Sequence, residues 1–146
     1  MKISLVALAL SLVLAMENAA AREFIEGQIW AYKTRKGEGI STLLINKVEN
    51  DKKVGTIFHI TVYGVRVKKP RDPEGITTEL PHFPVSQTTL EESCTKLIGT
   101  APPRSGYEAG YAEWRAAFEK GAAGIFIIPV AEIINIVEAA YNQPPK

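Results

Sequence analysis

The chain has a single cysteine, Cys94, among its 146 residues. One cysteine excludes an internal disulfide bond, although small exported domains commonly depend on such bonds. The folded state must therefore be held together by the burial of apolar side chains. We expect Cys94 itself to lie in the core, because it shares a helical stripe with Leu90 and Ile98.

The sequence also lacks a net charge of either sign. It contains 17 lysines and arginines against 16 acidic residues, which gives a formal charge of +1 at pH 7. Such a balance provides no overall attraction to nucleic acid, so we expect no nucleic-acid partner. Any electrostatic binding has to come from a local patch of charge.

The common catalytic and cofactor motifs are missing as well. The sequence has no GxSxG, GxxxxGK[ST], GxGxxG or CxxC pattern, and its two histidines, His59 and His82, are not in metal-binding spacing. The sequence therefore predicts no cofactor and no metal site, and it favours a non-enzymatic role. Catalytic groups that converge from distant positions would escape this test.

The first residues have the pattern of an export signal. Lys2 precedes an apolar run over residues 3–16, and Ala19, Ala20 and Ala21 fit the small-residue cleavage site. The run is shorter than the ~20 residues that a membrane-spanning helix needs. We predict a cleaved signal peptide over residues 1–21 and a single domain over residues 22–146, located in a bacterial periplasm or secreted. The mature chain is expected to have no transmembrane segment.

Three strands are predicted at the start of this domain, over residues 24–35 and 40–49 and from Thr56 onward. Short polar turns separate them, which is typical of an antiparallel meander. Phe58, Ile60 and Val62 share one face of the third strand. The apolar positions change parity after Gly64, which predicts a β-bulge there.

The second half of the chain is predicted to be mostly helical. Residues 68–86 contain four prolines and no periodicity, so we expect a long irregular connection. A helical stripe follows at Leu90, Cys94, Leu97 and Ile98, and a second helix carries Tyr107, Tyr111, Trp114 and Phe118. The apolar run over residues 124–128 predicts a fourth strand, and a last helix begins at Pro129. The predicted class is α+β, in the order β-β-β-α-α-β-α, with about three helices packed on one face of the sheet.

A basic rim is the strongest candidate for a binding site. In an antiparallel meander the ends of the first and third strands meet at one edge, and the connection that carries His82 leaves from that edge. The predicted anion-binding residues are Lys33, Arg35, Lys36, Arg66, Lys68 and His82. The expected partner is an anionic small molecule, an envelope component or an acidic protein surface. The alternative is a solvated rim that only keeps this edge soluble.

Two other functions stay open at this point. One is a small periplasmic hydrolase that uses His82 with a nearby carboxylate such as Glu79. The other is an inhibitor or interaction protein that uses the aromatic face of the second helix. We expect His59 to be a structural residue, because its neighbours on the same strand supply neither a carboxylate nor a nucleophile.

Overall fold

The computed structural model describes residues 22–144, so the predicted signal peptide lies outside the described residues. Within them the strands are β1 (Gln28–Tyr32), β2 (Thr42–Asp51), β3 (Gly55–Lys68), β4 (Ile76–Ser86) and β5 (Cys94–Thr100). The helices are α1 (Gln87–Ser93), α2 (Tyr107–Glu119) and α3 (Val130–Tyr141). The strands form one antiparallel sheet in the order β4-β3-β2-β1-β5. The predicted α+β class is confirmed. No helix in the described part of the chain combines the length and apolarity needed to cross a membrane.

The predicted meander is present as β1, β2 and β3. Leu43 pairs with Trp30 on one side and with Val62 on the other, so three core residues lie in one row across the sheet. The predicted bulge at Gly64 is also found. The register shifts there, Gly64 has a φ of +74°, and a Cβ on it would lie 3.2 Å from Ser41 Cα. The bulge returns Val65 to the buried face, as the change of parity requires.

The prediction of an irregular connection over residues 68–86 is wrong. A short turn closes with a hydrogen bond from Lys69 N to Gly75 O, and β4 then runs back along β3. Prolines are tolerated because β4 is an edge strand. The carbonyl of Pro84 faces outward to Phe126 N, so the missing N–H of Pro84 points away from the β3 ladder.

The predicted first helix is shorter than its stripe suggests. Helix α1 ends at Ser93, and the chain continues from Cys94 as β5 along the free edge of β1. Leu97 and Ile98 are therefore 45% and 55% exposed instead of forming one buried helical stripe. The run predicted as the fourth strand, residues 124–128, lies beside β4 and pairs with it through the bridge between Phe126 and Val85.

The two faces of the sheet have different chemistry. One face carries the apolar core, where α1 and α3 pack, and residues such as Ile60 and Ile133 are fully buried. The opposite face carries buried polar residues, including Asn46, His59 and Thr61, and α2 covers it. The prediction that all helices pack on one face is therefore wrong for α2.

Candidate functional site

The predicted rim forms where β3 extends past the end of β2. The last paired residues are Thr42 and Tyr63, so the backbone of β3 beyond this point has no neighbouring strand on that side. Two carboxylates replace the missing strand. Glu38 Oε2 accepts a hydrogen bond from Arg66 N at 2.7 Å, and Glu138 Oε2 accepts one from Lys68 N at 2.8 Å.

Arg35 is bound by the same two carboxylates. Its guanidinium forms an ion pair with Glu38, a second one with Glu138 at 3.2 Å, and a hydrogen bond to Arg66 O at 3.2 Å. Burial lowers the pKa of Arg35, but the contacts with Glu38 and Glu138 outweigh this effect and raise the pKa above its ordinary value. Arg35 was predicted to bind a ligand, but its guanidinium forms ion pairs with Glu38 and Glu138 of the protein itself.

The other rim cations are exposed. A cleft of about 400 Å³ is lined by Arg35, Glu38 and Glu138 together with Lys36, Arg66 and Lys68. Lys33 follows the end of β1 and is exposed too, but it does not line this cleft. Among the described residues, the side chains of these four cations, Lys33, Lys36, Arg66 and Lys68, form no ion pair.

His82 does not lie at this rim. It is six residues along β4 from Ile76, which pairs with Lys68, so it lies roughly 20 Å away along the strand. The structure places it on the polar face of the sheet beside His59. The assignment of His82 to the anion-binding rim is corrected accordingly, because the chain turns back directly after β3 and does not cross the rim as a loop.

The two histidines form a hydrogen-bonded pair with nearly coplanar rings. His82 Nε2 lies 2.9 Å from His59 Nδ1, and the two rings are 5.1 Å apart with only 13° between their planes. The other nitrogen of His59, Nε2, lies 3.3 Å from Glu49 Oε1. Because a carboxylate only accepts hydrogen bonds, His59 donates through Nε2 and accepts from His82 through Nδ1. We call Glu49, His59 and His82 the histidine network.

Helix α2 closes over the histidine network. Tyr111 donates to Glu49 Oε2 at 2.8 Å, and the ring of Trp114 meets the ring of His59 edge-on at 4.9 Å. Gly110 provides the close approach beside His82, since a Cβ on Gly110 would lie 3.0 Å from His82 Cβ. The aromatic face of α2 thus packs inward. Trp114, at the centre of this face, is only 9% exposed and is therefore not available to a partner.

Burial and charge set the protonation of the network. Burial lowers the pKa of His59, although Glu49 partly offsets this. Burial, together with the charge of His59, lowers the pKa of His82 to about 4. Burial raises the pKa of Glu49, but the hydrogen bonds from Tyr111 and His59 outweigh it and leave that pKa below its ordinary value. At neutral pH the network therefore holds one carboxylate and two neutral imidazoles.

The open end of this network is His82 Nδ1. This atom has no hydrogen-bond partner among the described residues, and none of their buried side-chain nitrogen or oxygen atoms is unpaired, so Nδ1 reaches solvent. It is a proton acceptor oriented through His59 by a carboxylate. Glu79, the carboxylate expected to assist His82, instead forms an ion pair with Arg104. Within residues 22–144 no group of three or more His, Cys, Asp or Glu residues is placed to hold a metal ion.

Sequence reasoning missed the carboxylates at both places. Glu49 reaches His59 from the neighbouring strand, and Glu138 reaches the rim from α3, 70 residues after Lys68. Nothing local in the sequence marks either carboxylate, since each one meets its partner from a different element of the fold. Comparisons with protein-family models, with curated proteins and with solved structures found no match for this chain.

Proposed function

We propose that this protein is an exported binding protein that recognises an anionic group through the exposed cations of the rim. The observation that supports this proposal most directly is that the carboxylates of Glu38 and Glu138 are already bound by Arg35 and by the backbone of β3. The side chains of Lys33, Lys36, Arg66 and Lys68 are left for a ligand. The ligand class is an anionic small molecule, a phosphate-bearing envelope component or an acidic protein surface.

The rigidity of the rim supports this proposal. Arg66 and Lys68 are two residues apart on one strand, so their side chains leave the same face of the sheet. Their backbone N–H groups are fixed by Glu38 and Glu138. Donors on a fixed backbone lose less conformational entropy when a ligand binds, which improves affinity. Arg35 is assigned a positioning role, because it joins both carboxylates.

The test is a calorimetric titration with inorganic polyphosphate at several salt concentrations. The double variant Arg66→Glu, Lys68→Glu is expected to bind at least about tenfold more weakly, since each well-placed charged hydrogen bond contributes about 1–3 kcal/mol. The matched control is Lys96→Glu, Lys120→Glu, which changes the charge equally at two exposed lysines that do not line the rim cleft. This control is expected to change affinity less than about twofold.

Three results would reject the anion-binding rim. Equal losses in the two double variants would mean that polyphosphate responds only to net charge. Affinity that does not fall with added salt would exclude an electrostatic site, because exposed charges are screened over about 8 Å at physiological ionic strength. The absence of saturable binding would leave the rim as a solvated sheet edge.

Acid–base chemistry at His82 is a second candidate, which the histidine network favours. A carboxylate that orients one imidazole, which in turn orients another, is an arrangement suited to a general base. The test measures hydrolysis of a p-nitrophenyl ester by the protein and by the variants His82→Asn and Glu49→Gln. Both variants are expected to be slower if the network acts as a unit, whereas unchanged rates would reject this candidate.

A further inference from the structure

A second cleft lies at the end of the sheet opposite the rim. It opens between the β2–β3 turn and the last turn of α2, and its volume is about 610 Å³, against about 400 Å³ at the rim. This volume falls in the range of small-molecule sites, roughly 300–1,000 Å³. Its walls are formed mainly by Asp51, Lys52, Lys53, Val54, Arg115 and Phe118.

One wall of this cleft is apolar and rigid. Val54 lies in the β2–β3 turn and is 41% exposed, although its side chain is apolar. Phe118 stacks on Trp114 with ring centres 4.7 Å apart, and Trp114 packs against the buried ring of His59. The ring of Phe118 is therefore held by a row of packed aromatic groups, and it offers a fixed surface for an apolar ligand group.

The charged part of the lining comprises Lys52, Lys53 and Arg115 against Asp51 and Glu119, an excess of one positive charge. Asp51 Oδ1 accepts hydrogen bonds from Lys53 N at 2.8 Å and from Val54 N at 3.1 Å. Glu119 accepts from Arg115 Nε at 2.9 Å. Both carboxylates near the cleft are thus engaged by protein groups. The side chains of Lys52 and Lys53 are exposed and form no ion pair within residues 22–144.

We propose that this cleft binds an amphipathic anion. The ligand would place an aromatic or aliphatic group against Phe118 and Val54, and a carboxylate, sulfonate or phosphate group at Lys52 and Lys53. A purely inorganic anion gains nothing from the apolar wall, and a neutral apolar molecule gains nothing from the lysines. The requirement for both parts distinguishes this site from the rim, and the proposal does not depend on the rim being functional.

The experiment uses the fluorescent probe anilinonaphthalene sulfonate, which combines aromatic rings with one negative charge. The purified protein is expected to bind it saturably with one main site. Val54→Asp should weaken binding by about tenfold or more, because it places a charged, hydrated group on the apolar wall. The matched control is Tyr141→Asp, since Tyr141 is also 41% exposed and lines a cleft with Lys69. This control should change the affinity by less than about twofold.

A second pair of measurements separates the charged part from the apolar part. Lys52→Glu, Lys53→Glu should weaken binding of anilinonaphthalene sulfonate by about tenfold or more, and it should leave binding of the neutral analogue phenylnaphthylamine unchanged. Both lysines lie in an exposed turn, so this double variant is expected to fold even if Val54→Asp does not.

Several outcomes would overturn the proposal. Equal losses in Val54→Asp and Tyr141→Asp would mean that the probe binds any exposed apolar surface. Unchanged affinity in the double lysine variant would remove the anion site. If Arg66→Glu, Lys68→Glu weakens binding of anilinonaphthalene sulfonate as much as the cleft variants do, the probe binds at the rim or responds to the net charge of the protein.

Discussion

His82 lies parallel to His59, and its Nε2 atom is 2.9 Å from His59 Nδ1. This arrangement couples the protonation of the two imidazoles. One proton lies in the hydrogen bond between them, and protonating both rings would place two positive charges side by side. His59 is fully buried, and His82 is partly buried under α2. The pair is therefore stable as two neutral rings and is sensitive to acid.

Acid should destabilise the protein through His82. In the unfolded chain its pKa has the ordinary value of 6.5, whereas in the folded protein it is about 4. Between these values the unfolded state binds a proton that the folded state does not, so lowering the pH favours unfolding. We expect a loss of about 1–3 kcal/mol in the free energy of unfolding between pH 6.5 and pH 4. Urea denaturation at several pH values measures this loss.

The variant His82→Gln is the control for this effect. Its amide retains a donor for His59 Nδ1 and does not titrate. Its stability should fall less steeply than that of the original protein over the same pH range. Parallel pH profiles would show that other groups cause the acid sensitivity.

Arg35→Ala should lower stability, in contrast to substitution of the exposed rim cations. Glu38 is only 3% exposed, and Arg35 is the ion-pair partner of its carboxylate. Removal of one partner leaves a buried charge, which costs about 3 kcal/mol. Arg66→Ala removes only an exposed side chain and should cost about 0–1 kcal/mol. Chemical denaturation of the two variants compares these costs, and equal values would mean that Arg35 is not a positioning residue.

Gly110→Ala should not give the usual stabilisation of a helix. Alanine is favoured over glycine inside a helix by about 1 kcal/mol. At this position its Cβ would lie 3.0 Å from His82 Cβ, so the histidine would have to move. We expect a neutral or destabilising effect in the original protein and a gain of about 1 kcal/mol in a His82→Gly background, where the opposing Cβ is absent. A gain of that size in both backgrounds would show that the contact carries no strain.

Cys94 should react slowly with thiol reagents in the folded protein. It is 1% exposed, and burial raises the pKa of its thiol to about 12, so very little thiolate is present at neutral pH. Labelling followed by mass spectrometry is expected to be slow without denaturant and fast with it. Cys94→Ala should cost on the order of 1 kcal/mol and leave ligand binding unchanged. Rapid labelling of the native protein would indicate a reactive thiol.

Export is predicted to remove residues 1–21. Expression of the full chain in a bacterium, followed by mass spectrometry of the envelope fraction, should give a protein that begins at Arg22. Recovery of the chain from the cytosol with Met1 at its terminus would contradict the predicted localisation.

The sequence alone determined the parts of the fold that depend on local periodicity. Alternating apolar residues and polar turns predicted the β1–β3 meander, and the change of parity after Gly64 predicted the bulge. The aromatic spacing over residues 107–118 predicted helix α2. Patterns of this kind are readable because burial of one face imposes the period of the backbone on the side chains.

Only the tertiary structure decided the features that depend on neighbours distant in sequence. The prolines of β4 fit a strand because its outer edge needs no full ladder of N–H donors. Residues 94–100 became β5 because β1 had a free edge to pair with, although their apolar spacing also suited a helix. The histidine network requires Glu49, His59 and His82 to meet across three strands. Hydrogen bonds and ion pairs depend on distance in space. That distance is set by how the strands pair in the folded sheet and cannot be read from the separation of residues along the chain.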